Sequence, residues 1–191
     1  MTSILKVDNI QDASGTGTPY ITGAVLQTVV QQETGVTSFT QSGTNDMIML
    51  ASNADDSTSH LSLSITPKSV NSKILLTAYV FHEVDNTGNH STLWSFYRDS
   101  TKLAAPVAGS RRSGIAQTTM GYWTSDAVST ADVAHYNYYD SPNTTSAITY
   151  AVSFTNTTSG AELFLNRTVN DLDGSGYERG ISILIAQEIG G

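Results

Sequence analysis

Histidines and acidic side chains are the residues of this chain best suited to acid–base or metal chemistry, but their spacing favours neither. The four histidines are His60, His82, His90 and His135, and no two of them form a His-x-His or His-x-x-x-His pair. His82 and His90 flank a polar segment that contains Asp85, which would give a zinc ion three candidate ligands. Histidines in loops or at strand ends are the simpler interpretation, and we predict no metal and no cofactor.

A second cation-binding candidate is the acidic stretch 170–178, in which Asp171, Asp173 and Glu178 could supply oxygen ligands for calcium. With Gly174 at the sixth position of a calcium-binding loop, the first and twelfth positions carry no carboxylate. A solvated turn between the last two strands is therefore the favoured interpretation.

No residue pattern predicts an enzyme. Serine and threonine make up about a quarter of the chain, so a serine near a histidine has no diagnostic value, and there is no Gly-x-Ser-x-Gly motif. The chain has no cysteine, which removes thiol catalysis, disulfides and thiolate metal sites. A glycosidase would need a carboxylate pair across a cleft, and the sequence indicates none in particular.

Aromatic residues give a further signal for binding. Tyr136, Tyr138 and Tyr139 cluster on one predicted strand, where they could stack on a glycan or anchor a subunit interface. Both faces of that strand are partly polar, which is typical of an interface or a wet binding surface. Trp94 and Phe96, by contrast, are more simply explained as core residues.

The elements that position these residues are β-strands, because hydrophobicity alternates with a period of two. Leu61, Leu63 and Ile65 alternate with polar residues, and the same pattern recurs over 148–155. The segments 74–81 and 181–186 are more continuously apolar, which is typical of central strands or of strands covered on both faces by a neighbouring subunit. Further strands are predicted at 24–32, 47–51, 93–98, 102–107, 115–124, 133–140 and 161–167, with a tight hairpin at 99–101.

About ten strands and no convincing helix predict an all-β fold, an antiparallel β-sandwich of the jelly-roll type. We expect one sandwich domain over residues 24–191, behind an extended N-terminal arm over residues 1–23. The arm has apolar residues without a clear period and then a segment of turn-forming residues, so it is either a frayed terminus or a docking peptide. The candidate docking residues are Ile4, Leu5, Val7 and Ile10.

The net charge of −8 argues against nucleic acid and anionic membranes as partners. The tightest basic pair, Arg111 and Arg112, is too small for a basic stripe and is expected in a solvated loop or an ion pair. No segment has the roughly 18 apolar residues needed to span a bilayer, so membrane insertion is not expected. The N-terminus lacks the basic start and apolar run of a signal peptide, so we expect the chain to leave a cell, if it does, by another route.

Short segments spread over the chain resemble virion structural proteins of tailed bacteriophages, especially marine and cyanobacterial phages. The segments that carry the resemblance are 3–11 (SILKVDNIQ), 22–29 (TGAVLQTV), 65–67 (ITP), 72–75 (SKIL), 97–101 (YRDST), 139–142 (YDSP), 149–150 (TY), 166–167 (NR), 179–182 (RGIS) and 188–189 (EI). Each is short and non-catalytic, so the resemblance depends on their order along nearly the whole chain.

This resemblance implies a fibre, spike or decoration protein, in which a homotrimeric sandwich is displayed and the arm attaches to other virion proteins of the tail or capsid. The expected location is the virion, after assembly in the host cytoplasm. Unlike long tail fibres, the chain has no extended shaft. A tail fibre component, a short tail-side adaptor and a head fibre that decorates the capsid therefore remain open. A receptor-binding protein for a host surface glycan is the next alternative, and a depolymerase is a distant third.

Overall fold

The computed structural model describes residues 22–85, 92–119 and 130–191. Residues 1–21 of the predicted arm lie outside the described residues, and so does His90. The strand predicted at 115–124 is described only as far as residue 119. The described part contains a single short 3-10 helix, Ala51–Asn53, and twelve strands. These are β1 Val25–Glu33, β2 Thr37–Thr40, β3 Met47–Ile48, β4 Ser62–Ile65, β5 Lys73–Val84, β6 Thr92–Arg98, β7 Thr101–Leu103, β8 Ala116–Thr118, β9 Asp132–Asp140, β10 Ile148–Thr155, β11 Glu162–Leu165 and β12 Ser182–Ile189.

The strands form two six-stranded sheets in which every pairing is antiparallel. In the first sheet, called sheet A, β5 pairs with β9 along one edge and with β12 and β11 along the other; β1 pairs with β12, and β2 with β11. In sheet B, β10 and β6 are central, with β3 and β4 beside β10 and with β7 and β8 beside β6. The curved sheets pack in a sandwich-like half-barrel, so the predicted all-β antiparallel fold is confirmed.

The core lies between the sheets and is built by the predicted alternation. Leu61, Leu63 and Ile65 point inward, as do the apolar residues of β10. Trp94 and Phe96 are fully buried, which confirms their predicted place in the core. The two continuously apolar segments are β5 and β12, the central strands of sheet A. They therefore have one face in the core and one face that looks outward.

A buried asparagine joins the two halves of sheet A where its strands break. The break between β1 and β2 lies beside the break between β11 and β12. Asn166 is fully buried there, with a left-handed φ of 62°. Its Nδ2 donates to the carbonyls of Glu33 and Gly35 at 2.9 and 2.8 Å, and its Oδ1 accepts from Ser182 Oγ at 2.7 Å. The side chain thus provides donors for backbone carbonyls that have no strand partner at the break in the sheet.

Some predicted strand boundaries were wrong. The strand predicted at 102–107 ends at Leu103, ahead of Pro106, which cannot donate to a ladder. The strand predicted at 47–51 stops at Ile48, because the chain then turns through the 3-10 helix. The strand β2 was missed, since Thr37–Thr40 is short and its polar residues are buried by packing with β11.

Candidate interaction surface

The outward side of sheet A is a continuous surface of four paired strands, β1, β12, β5 and β9. Cross-strand pairs align its side chains in rows, for example Val30, Ile185, Thr77 and Asn137 across β1, β12, β5 and β9. We call this surface the apolar face. It comprises Thr28, Val30 and Gln32 of β1; Ile183, Ile185, Gln187 and Ile189 of β12; Leu75, Thr77, Tyr79 and Phe81 of β5; and Val133, His135, Asn137 and Tyr139 of β9.

Large apolar side chains of this face are open to solvent. Val30 is 54% exposed, Tyr79 42% and Tyr139 57%. The ring centroids of Tyr79 and His135, on neighbouring strands, are 6.3 Å apart. Singly exposed apolar residues are ordinary on protein surfaces, whereas several on one sheet make that sheet a candidate interaction surface.

The apolar face carries no acidic side chain, although the chain has 17 acidic residues and a net charge of −8. Lys73 lies at one end of it, where its Nζ donates to Ser141 Oγ at 2.9 Å. At the other end Glu83 is only 2% exposed, and its carboxylate accepts hydrogen bonds from Val169 N and Thr130 Oγ1. The acidic charge of the protein is therefore distributed over other surfaces.

The face mixes apolar and polar residues. On the central strands β5 and β12 the outward residues are mainly isoleucine, leucine, tyrosine and phenylalanine. On the flanking strands β1 and β9, polar residues such as Gln32 and Asn137 alternate across the rows with Val30 and Tyr139, the two most exposed apolar residues of the face. The face therefore stays apolar as far as its flanks, where polar side chains can also form hydrogen bonds.

The outward side of sheet B has a different chemistry. At the middle of its central strands the outward residues are Ser95 and Ser153, whose hydroxyls lie 2.8 Å apart and are buried. Loops of the same chain cross one end of this side: Thr155 Oγ1 donates to the carbonyl of Thr44, and Arg112 donates to the carbonyl of Thr155. Sheet B is thus partly covered from within the chain.

A buried histidine joins the two sheets and helps to fix the orientation of the apolar face. His82 of β5 packs edge-on against Trp94 of β6, with ring centroids 4.7 Å apart. Its Nδ1 lies 3.1 Å from the carbonyl of Val80, so Nδ1 carries the proton and Nε2 accepts from Thr118 Oγ1 at 3.1 Å. Thr118 Oγ1 accepts in turn from Trp94 Nε1 at 2.9 Å. Burial lowers the pKa of His82 to about 4, which keeps the ring neutral at pH 7.

A second polar junction joins the sheets at the opposite end of β9. Asp140 is 5% exposed and accepts hydrogen bonds from Arg98 of β6 at 2.9 Å and from the Tyr150 hydroxyl of β10 at 2.6 Å. Burial and the neighbouring Asp140 carboxylate raise the pKa of Tyr150, so this hydroxyl stays a donor. Together with the His82 junction, this contact holds sheet A against sheet B at both ends of the core.

The predicted aromatic cluster is divided by the fold. Tyr139 lies on the apolar face, where it is available to a partner. Tyr136 is 5% exposed and points into the core, where its hydroxyl donates to the carbonyl of Ser95 at 3.2 Å, and Tyr138 packs against the edge of the core. Because side chains of a strand alternate, Tyr136 and Tyr139 cannot share a surface.

One ligand of the zinc site considered in the sequence, His90, lies outside the described residues, so that site stays untested. His82 itself is 2% exposed and lies in the core. Asp171, in the stretch that resembles a calcium loop, accepts two hydrogen bonds from the Arg179 guanidinium, at 2.7 and 2.5 Å. Within residues 22–85, 92–119 and 130–191, no three histidine or acidic side chains lie close enough together to hold a metal ion.

A polar pocket of about 330 Å³ opens on the sheet B side of the sandwich. Asp46 lines it and accepts hydrogen bonds from the Tyr97 hydroxyl and from Lys102 Nζ, both at 2.8 Å. Burial and the Asp46 carboxylate raise the pKa of Tyr97 to about 12. Arg112 also lines the pocket. Neither the pocket nor the apolar face was identified from the sequence as a site, although the apolar runs of β5 and β12 indicated that their second face could be covered.

Neither a protein-family model nor a curated protein matches the chain. In the described residues, no helix is long and apolar enough to cross a membrane. The arm residues Ile4, Leu5, Val7 and Ile10 lie outside the described residues, so their docking role stays a prediction.

Proposed function

We propose that the protein is a structural component of a bacteriophage virion, a short fibre, spike or tail fibre component, that displays a homotrimeric sandwich. The observation that carries the proposal is the apolar face, because an acidic chain that leaves a large apolar surface free of acidic groups is suited to assembly. The resemblance of the chain to virion structural proteins supports the same function.

The point at which the chain enters the sandwich, at Gly23 and Ala24, supports a docking role for residues 1–23. The chain enters the sandwich beside its C-terminal strand, where Gly23 N donates to the carbonyl of Gly190 at 2.6 Å and Gly190 N donates to the carbonyl of Ala24 at 2.9 Å. The turn at residues 157–160 lies at the opposite end of the sandwich. An arm bound to the particle would therefore leave the opposite end directed outward.

Particle incorporation tests this function directly. A chain lacking residues 1–20 should fold but be absent from purified particles, since its anchor is gone. A matched variant keeps the arm and replaces Ile4, Leu5, Val7 and Ile10 with serine, and it should also be absent if those side chains make the contact. Incorporation of the truncated chain at the normal level would refute the docking role, and density of the intact particle would assign the protein to the tail or to the capsid as a decoration protein.

Recognition of a host surface glycan is a second candidate function, favoured by the polar pocket around Asp46. Its hydroxyl, carboxylate, ammonium and guanidinium groups can all form hydrogen bonds with sugar hydroxyls. Fluorescently labelled protein should then bind host cells, and Asp46→Asn should weaken that binding while Asp173→Asn, in a distant exposed loop, should not. Equal binding by both variants would remove this pocket as the receptor site.

A further inference from the structure

We infer that the polar pocket around Asp46 continues into a neighbouring pocket, and that the two form one groove for an acidic saccharide, a sugar chain that carries carboxylate groups. The inference rests on the second candidate function, glycan recognition, because it specifies the charge of the glycan and a second place where the glycan is held. We call the two pockets together the basic groove; Lys102 and Ser113 line both of them.

The two pockets are neighbours of similar size. The first, of about 330 Å³, is lined by Asp46 and Arg112 among others, and the second, of about 390 Å³, by Val107 and Arg111. Ligand pockets in proteins have volumes of roughly 300–1,000 Å³, so each is large enough for a sugar unit. Because Lys102 belongs to both linings, a sugar chain can pass from one pocket to the other along this side chain.

The charge of the basic groove is opposite to the net charge of the chain. Three of the nine basic residues of the chain line it, namely Lys102, Arg111 and Arg112. Of the 17 acidic residues, Asp46 alone is found among the described residues that line the two pockets. A concave surface that concentrates one sign of charge attracts ligands of the opposite sign. The groove therefore favours an anionic ligand.

The two adjacent arginines serve different pockets. Arg112 lines the first pocket, where its Nη1 donates to the carbonyl of Thr155 at 3.1 Å. Arg111 lines the second pocket, where its Nη1 donates to the carbonyl of Ala108 at 3.2 Å. A guanidinium group matches the planar geometry of a carboxylate. Positive charge is thus present in both pockets, as a ligand with repeated carboxylates requires.

The loop that carries both arginines is held at its base. Residues 104–115 connect β7 and β8, which both pair with β6. Ala105 N donates to the carbonyl of Gly114 at 3.2 Å, and Ser113 Oγ donates to the carbonyl of Ala105. Gly114 lies so close to β6 that a Cβ there would be 2.5 Å from Leu93 Cγ. These contacts preorganise the groove, which lowers the entropy cost of binding.

The groups beside the basic residues suit a saccharide better than a nucleic acid. The Asp46 carboxylate can accept hydrogen bonds from sugar hydroxyls, whereas it would repel a phosphate. In the second pocket, Pro106 and Val107 offer apolar contact to the C–H groups of a sugar ring. Grooves for single-stranded nucleic acid combine basic residues with several aromatic side chains on which bases stack. Among the described lining residues of both pockets, Tyr97 alone is aromatic, and its hydroxyl donates to Asp46.

Titration calorimetry of the full chain with defined oligomers tests the charge of the ligand. A galacturonic acid oligomer or a sialic acid oligomer should bind at least about tenfold more tightly than a neutral glucose oligomer of equal length. That binding should weaken at about 0.5 M salt, because the attraction is screened. Lack of binding by both acidic oligomers, equal binding by the neutral one, or tighter binding by single-stranded DNA would each overturn the inference.

Variants of the second pocket test whether the groove extends beyond Asp46. Arg111→Gln should weaken binding of the acidic oligomer by about tenfold, whereas Lys73→Gln, which removes a positive charge at the end of sheet A, should leave it unchanged. Val107→Asp places a carboxylate in the pocket at a side chain that is 77% exposed, and should also weaken binding. Val70→Asp is its control, because Val70 is 51% exposed and lines neither pocket. Normal binding by Arg111→Gln or by Val107→Asp overturns the inference.

Competition on host cells separates this inference from the function on which it rests. An excess of the acidic oligomer should displace labelled protein from the cells. Cell binding that the oligomer does not reduce would leave glycan recognition standing and overturn the acidic ligand. Binding of the purified oligomer without any binding to host cells would support the basic groove and remove the receptor function instead.

Discussion

The two outward sides of the sandwich differ in side-chain size and in what covers them. On sheet A, Val30, Tyr79 and Tyr139 project from the strands and remain open. On sheet B, the central outward residues include Ser95 and Ser153, and loops of the same chain reach across. Alternation with a period of two assigns one side of every strand to the core. The residues on the other side then indicate whether that surface is covered by the chain itself, by water or by a partner.

The largest effect is expected where sheet A is held together across its broken strands. Asn166→Ala removes the donors to two partly buried carbonyls and the acceptor for the buried Ser182 Oγ, and should lower the free energy of unfolding by about 3–4 kcal/mol. Asn143→Ala is the matched control, because Asn143 also has a left-handed φ, 52°, but is exposed in a turn. Both variants place alanine at a left-handed φ, but only Asn166→Ala also removes the three hydrogen bonds. Urea unfolding therefore separates the contribution of the hydrogen bonds from that of backbone strain. Equal losses of unfolding free energy in the two variants would contradict this account.

Acid should weaken the junction between the two sheets by a slightly smaller amount. The pKa of His82 is lowered from 6.5 to about 4, so the unfolded chain binds a proton at this residue more readily than the folded chain. As the pH falls from 6.5 to 4, the folded state should lose about 3 kcal/mol through this group, or about 1.4 kcal/mol per pH unit. Above pH 6.5 the ring is neutral in both states and the contribution to pH dependence vanishes.

Comparison of two histidine variants over that pH range isolates the effect. His82→Gln should show a shallower decline in unfolding free energy than the unmodified chain. His135→Gln, on the open apolar face, should keep the steep decline. An unchanged pH dependence in His82→Gln would mean that other groups cause the acid sensitivity.

An isosteric change from hydroxyl to methyl compares the two outward sides directly. Thr155→Val on sheet B removes the bond to the carbonyl of Thr44 at a site that is 4% exposed, and should cost about 1–2 kcal/mol. Thr77→Val on sheet A removes a solvent-accessible bond to Asn137 and should change the stability of the monomer by less than about 0.5 kcal/mol. It should also strengthen self-association, so both unfolding and light scattering are informative. A larger loss at Thr77 would reverse the comparison.

The smallest effect is expected at the ion pair on the sheet B side. Lys102 Nζ and Asp46 Oδ2 are 2.8 Å apart, but the lysine side chain remains 27% exposed. Lys102→Met should lower the unfolding free energy by about 0.5 kcal/mol, and the difference should shrink in 1 M salt because exposed charges are screened. A loss that persists in high salt would indicate that the packing of the lysine stem, rather than its charge, supports this side.

Period-two alternation was sufficient to predict the fold class and most strands, because each strand carries its own pattern of buried and exposed residues. It also predicted the core positions of Trp94, Phe96 and the apolar residues of β10. It places Tyr136 and Tyr139 on opposite faces of β9 but could not tell which face is buried, because both faces are partly polar, so both tyrosines stayed candidates for a binding surface. In the Asp46 pocket, Asp46 meets Tyr97 and Lys102, which lie 51 and 56 positions further along the chain, and no local sequence pattern indicates such a contact.

The hydrogen bonds of Gly23 and Ala24 with Gly190 have a practical consequence for engineering. A peptide or reporter fused after Gly191 would emerge beside the arm, so it would crowd whatever the arm contacts. The turn at residues 157–160 is at the far end, and Gly160 there has a φ of 77° with open space around it. An epitope inserted into that turn would be presented away from the arm. Because Gly23 and Gly190 are hydrogen-bonded, a sandwich limited to residues 23–190 is also suitable for circular permutation, with new termini in the same turn.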